Sequence, residues 1–167
     1  MEHKSGFVNI IGKPNVGKST LLNSMIGQDI SIITNKAQTT RHRIKGILSD
    51  KNYQIVFSDT PGIIKPAYKL QESMMQYVKS AFQDADVILY VVEIGEQGLK
   101  DEEIFEKIKK LKIPLIILLN KIDLVSQDKV LLEIENWKRK FSKAIVLPIS
   151  ALNKFNINEI IDAIVEV

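Results

Sequence analysis

Gly12-Lys13-Pro14-Asn15-Val16-Gly17-Lys18-Ser19 is the stretch on which the reading of this chain turns. Its spacing, G-x-x-x-x-G-K-S, is that of a loop whose backbone N–H groups wrap around phosphate oxygens. Cβ atoms in the wrong places would block that approach, so Gly12 and Gly17 keep the path clear and permit unusual dihedrals. Lys18 reaches the outer phosphates as a point charge, and Ser19 offers a hydroxyl oxygen to Mg²⁺. The flanks agree. Phe7–Ile11 reads as a short buried strand. Ser19–Ile26 opens a helix with Leu21, Leu22, Met25 and Ile26 on one face, ending near Gly27. The phosphates then lie at a helix N-terminus, where free N–H groups and the macrodipole favour an anion.

The rest of the chain sets bounds on the answer. With 167 residues, 45% apolar and 26% charged, it reads as one globular domain with a sizeable core. A net charge of +3 is too small to argue for nucleic acid by itself. There are no cysteines, which rules out disulfides and thiolate chemistry and is compatible with the cytoplasm. The apolar runs Val87–Val92 and Leu115–Leu119 are far too short to span a bilayer. Met1–Ser5 reads as a polar lead-in directly before the first strand, without a signal peptide.

Beyond Gly27, residues 28–43 form a long polar stretch without period, and such a segment in a compact domain is usually functional. Ile44–Ser49 and Tyr53–Ser58 read as strands joined in a hairpin at Asp50-Lys51-Asn52. The second runs into Asp59-Thr60-Pro61-Gly62. A carboxylate at the end of a buried strand, behind a phosphate loop, reads as an Mg²⁺ holder acting through water. Gly62 can bring an N–H to an outer phosphate. Helices are expected at Leu70–Phe82, around Ile104, Ile108 and Leu111, along Val130, Ile134, Trp137 and Phe141, and along Ile157, Ile160, Ile161 and Ile164. Val87–Val92, Leu115–Leu119 and Ile145–Ile149 are the remaining strands. Strands alternating with helices imply an α/β fold of three layers, a mainly parallel six-stranded sheet with one antiparallel edge hairpin strand. The ligand lies outside the carboxyl ends of such strands.

Two later segments read the base. Asn120-Lys121-Ile122-Asp123 follows one strand and Ser150-Ala151-Leu152 follows another. Guanine presents the ring N1–H and the 2-amino group side by side, and an ionised Asp123 accepts both in a charge-assisted pair. Adenine would turn a lone pair toward that carboxylate. A site built to pair buried polar groups rejects the wrong ligand by up to about 10⁴–10⁵. Asn120 ties the base edge to the phosphate loop, the stem of Lys121 covers the base plane, and the Ala151 N–H points to the guanine 6-oxygen.

The series G-x-x-x-x-G-K-S, Thr, D-x-x-G, N-K-x-D and S-A, in this order, resembles the G domain of translation-factor-class P-loop GTPases. With Lys36-Ala37-Gln38-Thr39-Thr40-Arg41-His42-Arg43 it resembles the bacterial Era family over essentially the whole chain. The resemblance implies a guanine-nucleotide-binding switch that hydrolyses GTP to GDP. Residues 29–43 become switch I and residues 59–75 switch II, both released when the γ-phosphate is lost. It implies a nucleotide-binding set of Gly12, Lys13, Pro14, Asn15, Val16, Gly17, Lys18, Ser19 and Thr20, continued by Asp59, Thr60, Pro61, Gly62 and Ile63. The base side adds Asn120, Lys121, Asp123, Leu124, Ser150, Ala151 and Leu152. Lys18, Thr40 and Gly62 take the catalytic roles, and Ser19, Thr40 and Asp59 the Mg²⁺, with Thr40 preferred to Thr39.

Ras-like relatives carry a water-orienting Gln where this chain has Ile63, so slow intrinsic hydrolysis is expected. Asn15 is either a K⁺ ligand beside the phosphates or simply a shaper of the loop. Era proteins act in small (30S) ribosomal subunit assembly and bind 16S ribosomal RNA through a C-terminal KH domain. Here residues 1–167 are expected to be one GTPase domain without that module, monomeric and cytoplasmic, with peripheral membrane contact at most. The basic run Lys36–Lys45 fits a switch loop better than an RNA contact. Rival readings are a P-loop ATPase or kinase, a nucleotide-sensing module that does not hydrolyse, and a tRNA-modification or Der-like GTPase.

Overall fold

The computed structural model describes residues 3–31, 33, 40–99 and 102–167. Thr34–Thr39, which hold most of the expected switch I core and the alternative Thr39, lie outside the described residues. Six strands, β1 (Lys4–Ile11), β2 (Ile44–Ser49), β3 (Tyr53–Asp59), β4 (Val87–Glu93), β5 (Leu115–Asn120) and β6 (Ile145–Pro148), form one sheet in the order β2-β3-β1-β4-β5-β6. Among these six strands the β2–β3 pair is antiparallel and the other pairs are parallel. The fold is thus the three-layer α/β arrangement that the alternating elements imply.

Successive residues of a strand face opposite layers. Val8 and Ile10 of β1, Phe57 of β3, Leu89 and Val91 of β4 and Leu118 of β5 pack under α1 (Lys18–Ile26) and α5 (Ile157–Glu166). Ile88, Tyr90, Val92, Ile117 and Leu119 face α2 (Lys69–Ala81), α3 (Glu102–Lys109) and α4 (Gln127–Lys140). Both faces of β4 and β5 are therefore buried, which is why these strands read as unbroken apolar runs. Trp137 stands in this second layer, parallel to Phe141 at 5.9 Å and edge-on to Tyr90 at 5.8 Å.

Several boundaries differ from the sequence reading. The polar lead-in is partly strand, because Lys4 and Ser5 pair with Tyr53 and Gln54 across the β1–β3 ladder. Backbone pairing, which ignores side-chain polarity, extends the strand beyond its apolar part. Leu111 lies past the end of α3, and Ile149 lies past β6 although its N–H still bonds Leu119 O at 2.8 Å. A 3₁₀ turn at Ile122–Leu124, invisible to a helical period, shapes the base-reading loop. Among the described residues no helix is long and apolar enough to cross a membrane.

Candidate functional site

The loops that leave the carboxyl ends of β1, β3, β5 and the segment after β6 converge on a cleft of about 400 Å³. It is lined by Pro14, Asn15, Gly17, Lys18, Ser19, Thr20, Thr40, Thr60, Gly62, Asn120, Lys121, Asp123, Leu124, Ser150, Ala151 and Leu152, with Ile33. That volume is in the range of small-ligand sites. The remaining site residues support the cleft from behind. Val16 is buried in the core, and Gly12 O accepts the N–H of Ile63 at 2.8 Å. The Ile63 side chain packs into the α2–α3–α4 layer, so it points away from any phosphate.

Backbone geometry explains the glycines at two places. Gly17 has φ 101°, and a Cβ there would collide with Asn120 Nδ2. A Cβ on Gly62 would stand 2.7 Å from Pro14 N. The two loops thus approach so closely that only hydrogen fits between them.

The phosphate end carries the electrostatics. Lys18 is buried, and its Nζ donates to Lys13 O at 2.6 Å. Burial pulls its ammonium down to about 8, against the opposing pull of Asp59 and Glu96. Asp59 is fully buried at the end of β3. Its Oδ2 accepts hydroxyls from Ser19 at 2.8 Å, Ser31 at 3.2 Å and Thr40 at 3.4 Å, and Ser19 Oγ lies 3.2 Å from Thr40 Oγ1. Its other oxygen, Oδ1, is buried and has no hydrogen-bond partner. Burial raises the carboxyl above its usual range, while Lys18 and the three hydroxyls oppose the shift. Three hydroxyls on one carboxylate oxygen beside an orphan oxygen make a hard-oxygen set that fits Mg²⁺ held partly through water.

The base end is a hydrogen-bonded bracket. Asn120 Nδ2 donates to Val16 O at 2.7 Å, and its Oδ1 accepts the Ala151 N–H at 2.9 Å. One buried side chain thus fastens the phosphate loop to the Ser150–Ala151 loop. Ser150 Oγ donates to Asp123 Oδ1 at 2.6 Å, which fixes the carboxylate and leaves Oδ2 and the second lone pair of Oδ1 for a ligand. The Ala151 N–H, expected on guanine, is held by Asn120 here, so a bound base has to share it or take it over. Lys121 adopts φ 66° and its Nζ pairs with Glu93 at 2.7 Å, which steers the stem.

Sequence reasoning missed Ser31, Glu93 and Glu96. Ser31 is buried and tied to α1 through Asn23, whose Oδ1 accepts the Ser31 N–H at 2.9 Å. Glu96 pairs with Lys13 at 3.2 Å with its own side chain 7% exposed. Ser31 falls inside the expected switch I without being singled out, Glu93 and Glu96 lie in no recognisable motif, and only tertiary packing brings the three to the site.

A phosphate loop at a helix N-terminus, a strand-end aspartate among hydroxyls and a carboxylate shaped for guanine define a P-loop GTPase domain. The chain belongs to the 50S ribosome-binding GTPase family, whose profile matches residues 7–121. Within that class it is similar to GTPase Era of Staphylococcus haemolyticus, 46% identical over 164 residues, covering 98% of this chain and 55% of that protein. It is also similar to the crystal structure of Era in complex with MgGDPNP and nucleotides 1506–1542 of 16S ribosomal RNA. There the TM-score is 0.92 at 41% identity, over 99% of this chain and 57% of that one. A variant of Era from Aquifex aeolicus bound to GDP and AlF₄⁻ matches with a TM-score of 0.91 at 41% identity, over 98% and 56%. The chain spans about half the length of the curated relatives it matches.

Proposed function

We propose that this chain, one GTPase domain over residues 1–167, binds GTP and GDP with Mg²⁺ and slowly hydrolyses GTP, acting as a switch. The observation that carries the reading is Asp123, oriented by Ser150 in a bracket that Asn120 ties to the phosphate loop. Such a site pairs both guanine donors and leaves adenine unpaired. Ser19, Thr40 and Asp59 hold Mg²⁺, which supplies charge neutralisation at the β- and γ-phosphates. Lys18, aimed by Lys13 O, bonds the same oxygens, and the amides of residues 14–19 wrap the rest. Gly62 offers its N–H to the γ-phosphate.

Water attacks the γ-phosphorus in line, the bond to the β–γ bridging oxygen breaks, GDP leaves, and the water's proton goes to the released phosphate. Ile63 is turned into the core and gives no group to orient that water, so turnover without a partner is slow. Asn15, at the cleft with φ 62°, is the residue we assign to K⁺.

By likeness to the Era complexed with 16S ribosomal RNA, we extend the reading to 16S rRNA processing and small-subunit assembly in the cytoplasm. Gel-shift titration of the full-length protein with that RNA tests this extension; failure to bind removes it.

The direct test is phosphate release from GTP, ITP and ATP in KCl and in NaCl. GTP should turn over, slowly, and ATP should not. ITP, which lacks the 2-amino group, should bind about tenfold more weakly through loss of one bond to Asp123. Turnover of ATP would overturn the guanine assignment, and equal rates in the two salts would remove K⁺ from Asn15. Tight GTP binding without turnover would leave a switch that depends wholly on its partner.

A further inference from the structure

The turn that follows β4 contributes no lining to the cleft, yet it grips both nucleotide loops. Glu93 pairs with Lys121 at 2.7 Å, and the Ile94 N–H donates to Asn120 O at 2.9 Å. Three residues on, Glu96 pairs with Lys13 of the phosphate loop at 3.2 Å. The turn is closed on itself, because the Glu96 N–H donates to Glu93 O at 2.9 Å and the Glu93 N–H to Glu96 Oε2 at 3.2 Å. The Glu96 carboxylate is therefore held by the Glu93 N–H of the same turn, and only 7% of its side chain is exposed. A buried carboxylate needs strong compensation, and the Lys13 ion pair supplies part of it. Lys13 in turn presents the carbonyl that receives Lys18 Nζ at 2.6 Å.

We propose that Glu96 is a positioning residue for Lys18: by fixing Lys13 it aims the carbonyl that holds the Lys18 ammonium toward the β-phosphate. The inference rests on the guanine-nucleotide reading above. Glu96 does not line the cleft, and it lies in none of the nucleotide motifs. Its carboxylate carries two effects of opposite sign. As a charge near the phosphates it repels an anion, so its removal tightens binding, and more so for the more highly charged nucleotide. As a positioner its removal loosens the hold of Lys18 on the β-phosphate.

The experiment is the ratio of GDP to GMP affinity in wild type, Glu96→Gln and Lys13→Met, measured by calorimetry with Mg²⁺. GMP keeps the base and α-phosphate but lacks the β-phosphate that Lys18 grips, so a loosened fold would weaken both ligands alike and leave the ratio alone. Positioning predicts a ratio about tenfold lower in Glu96→Gln, a similar drop in Lys13→Met, and no further drop in the double variant, since both act through one link. A ratio that is unchanged or rises in Glu96→Gln overturns the inference while the nucleotide reading stands. A wild type that binds neither ligand sinks both. Should Glu96→Gln fail to fold, Glu96→Asp, which keeps the charge but shortens the reach to Lys13, decides the same question: positioning lowers its ratio, and an unchanged ratio overturns the inference.

Discussion

Lys18 shows how a single residue can be costly to the empty protein and necessary to the liganded one. In the unfolded chain its ammonium persists to about 10.5, and in the folded chain without nucleotide only to about 8. The native state therefore binds its proton less well, and stability rises with pH across that window. The penalty, about 3 kcal/mol, is full below pH 8, shrinks between 8 and 10.5, and is absent above. Lys18→Met should then be more stable than wild type by about 1–3 kcal/mol in urea unfolding at pH 7 without nucleotide, with the advantage gone near pH 10. With saturating GDP the order should reverse, because the phosphates add charge-assisted partners that Lys13 O alone does not match. A wild type that stays less stable than the variant in GDP would mean Lys18 does not meet the phosphates. Ser150 makes a gentler case. Its hydroxyl orients Asp123 at 2.6 Å, so Ser150→Ala should leave the carboxylate loosely aimed. Supporting bonds of this kind are worth about 10–100-fold at sites that depend on a fixed ligand. We expect GDP affinity to fall about tenfold while IDP affinity, resting on one bond fewer, falls less. An equal fall for both would place the role of Ser150 in the fold of its loop.

Between elements, the decisive contacts are ones that no local pattern announces. Arg43, at the mouth of β2, donates from Nε to Ser58 of β3 at 3.0 Å, from Nη2 to Asn9 of β1 at 3.3 Å, and from Nη1 to Asp84 beyond α2 at 2.7 Å. Asn9, fully buried, donates to Ala81 O at 2.6 Å and to Asp84 at 2.7 Å. The guanidinium thus pins the far end of the 28–43 loop, three residues after Thr40, to two strands and the end of α2. Arg43→Met should destabilise by about 2–3 kcal/mol, because Asn9 loses a partner in a buried place. Asp84→Asn should cost under about 1 kcal/mol, since Asp84 is half exposed and its ion pair is screened. Arg43 also holds the Asp84 carboxyl below its usual range, so this contribution is present at neutral pH and lost only as pH falls below about 4. Denaturant midpoints at pH 7 and pH 3.5 check both statements, and an Asp84→Asn variant as damaged as Arg43→Met would assign the strength to the ion pair instead. In sequence, Arg43 belongs to the segment that carries the family resemblance, but nothing there announces these contacts. The helices and strands were legible because their apolar residues repeat at 3.6 or run unbroken, and the phosphate, base and Mg²⁺ motifs because phosphate and guanine demand fixed residue types at fixed spacing. Glu96, Ser31 and Arg43 obey no such constraint: what places them is the meeting of elements distant in the chain, and polar partners there are interchangeable so long as each is satisfied.

At the scale of the molecule, the sheet separates stability from recognition. Apart from Ile33 and Thr40 of the α1–β2 segment, the cleft is built by loops that leave the carboxyl edge of the strands, while the largest side chain of the core, Trp137, sits on α4 in the layer shared by α2 and α3. Trp137 is 1% exposed and packs against Phe141 and Tyr90, none of which lines the cleft. Replacing a buried aromatic by a smaller side chain leaves a cavity, and Trp137→Leu should cost about 2–4 kcal/mol. A ligand that binds only the folded chain adds RT ln(1 + [L]/Kd), about 2.7 kcal/mol at one hundred times Kd, whatever the starting stability. If the cleft is built by the strand ends and their loops alone, GDP should raise the unfolding free energy of Trp137→Leu by the same increment as wild type. The two denaturation curves would shift in parallel, with the variant lower throughout. A smaller increment in the variant would mean that α4 packing reaches the Asn120–Asp123 loop that precedes it, through the 3₁₀ turn at Ile122–Leu124. Core and cleft would then be one cooperative body, and a loss of packing on α4 would read out directly as weaker hold on the base.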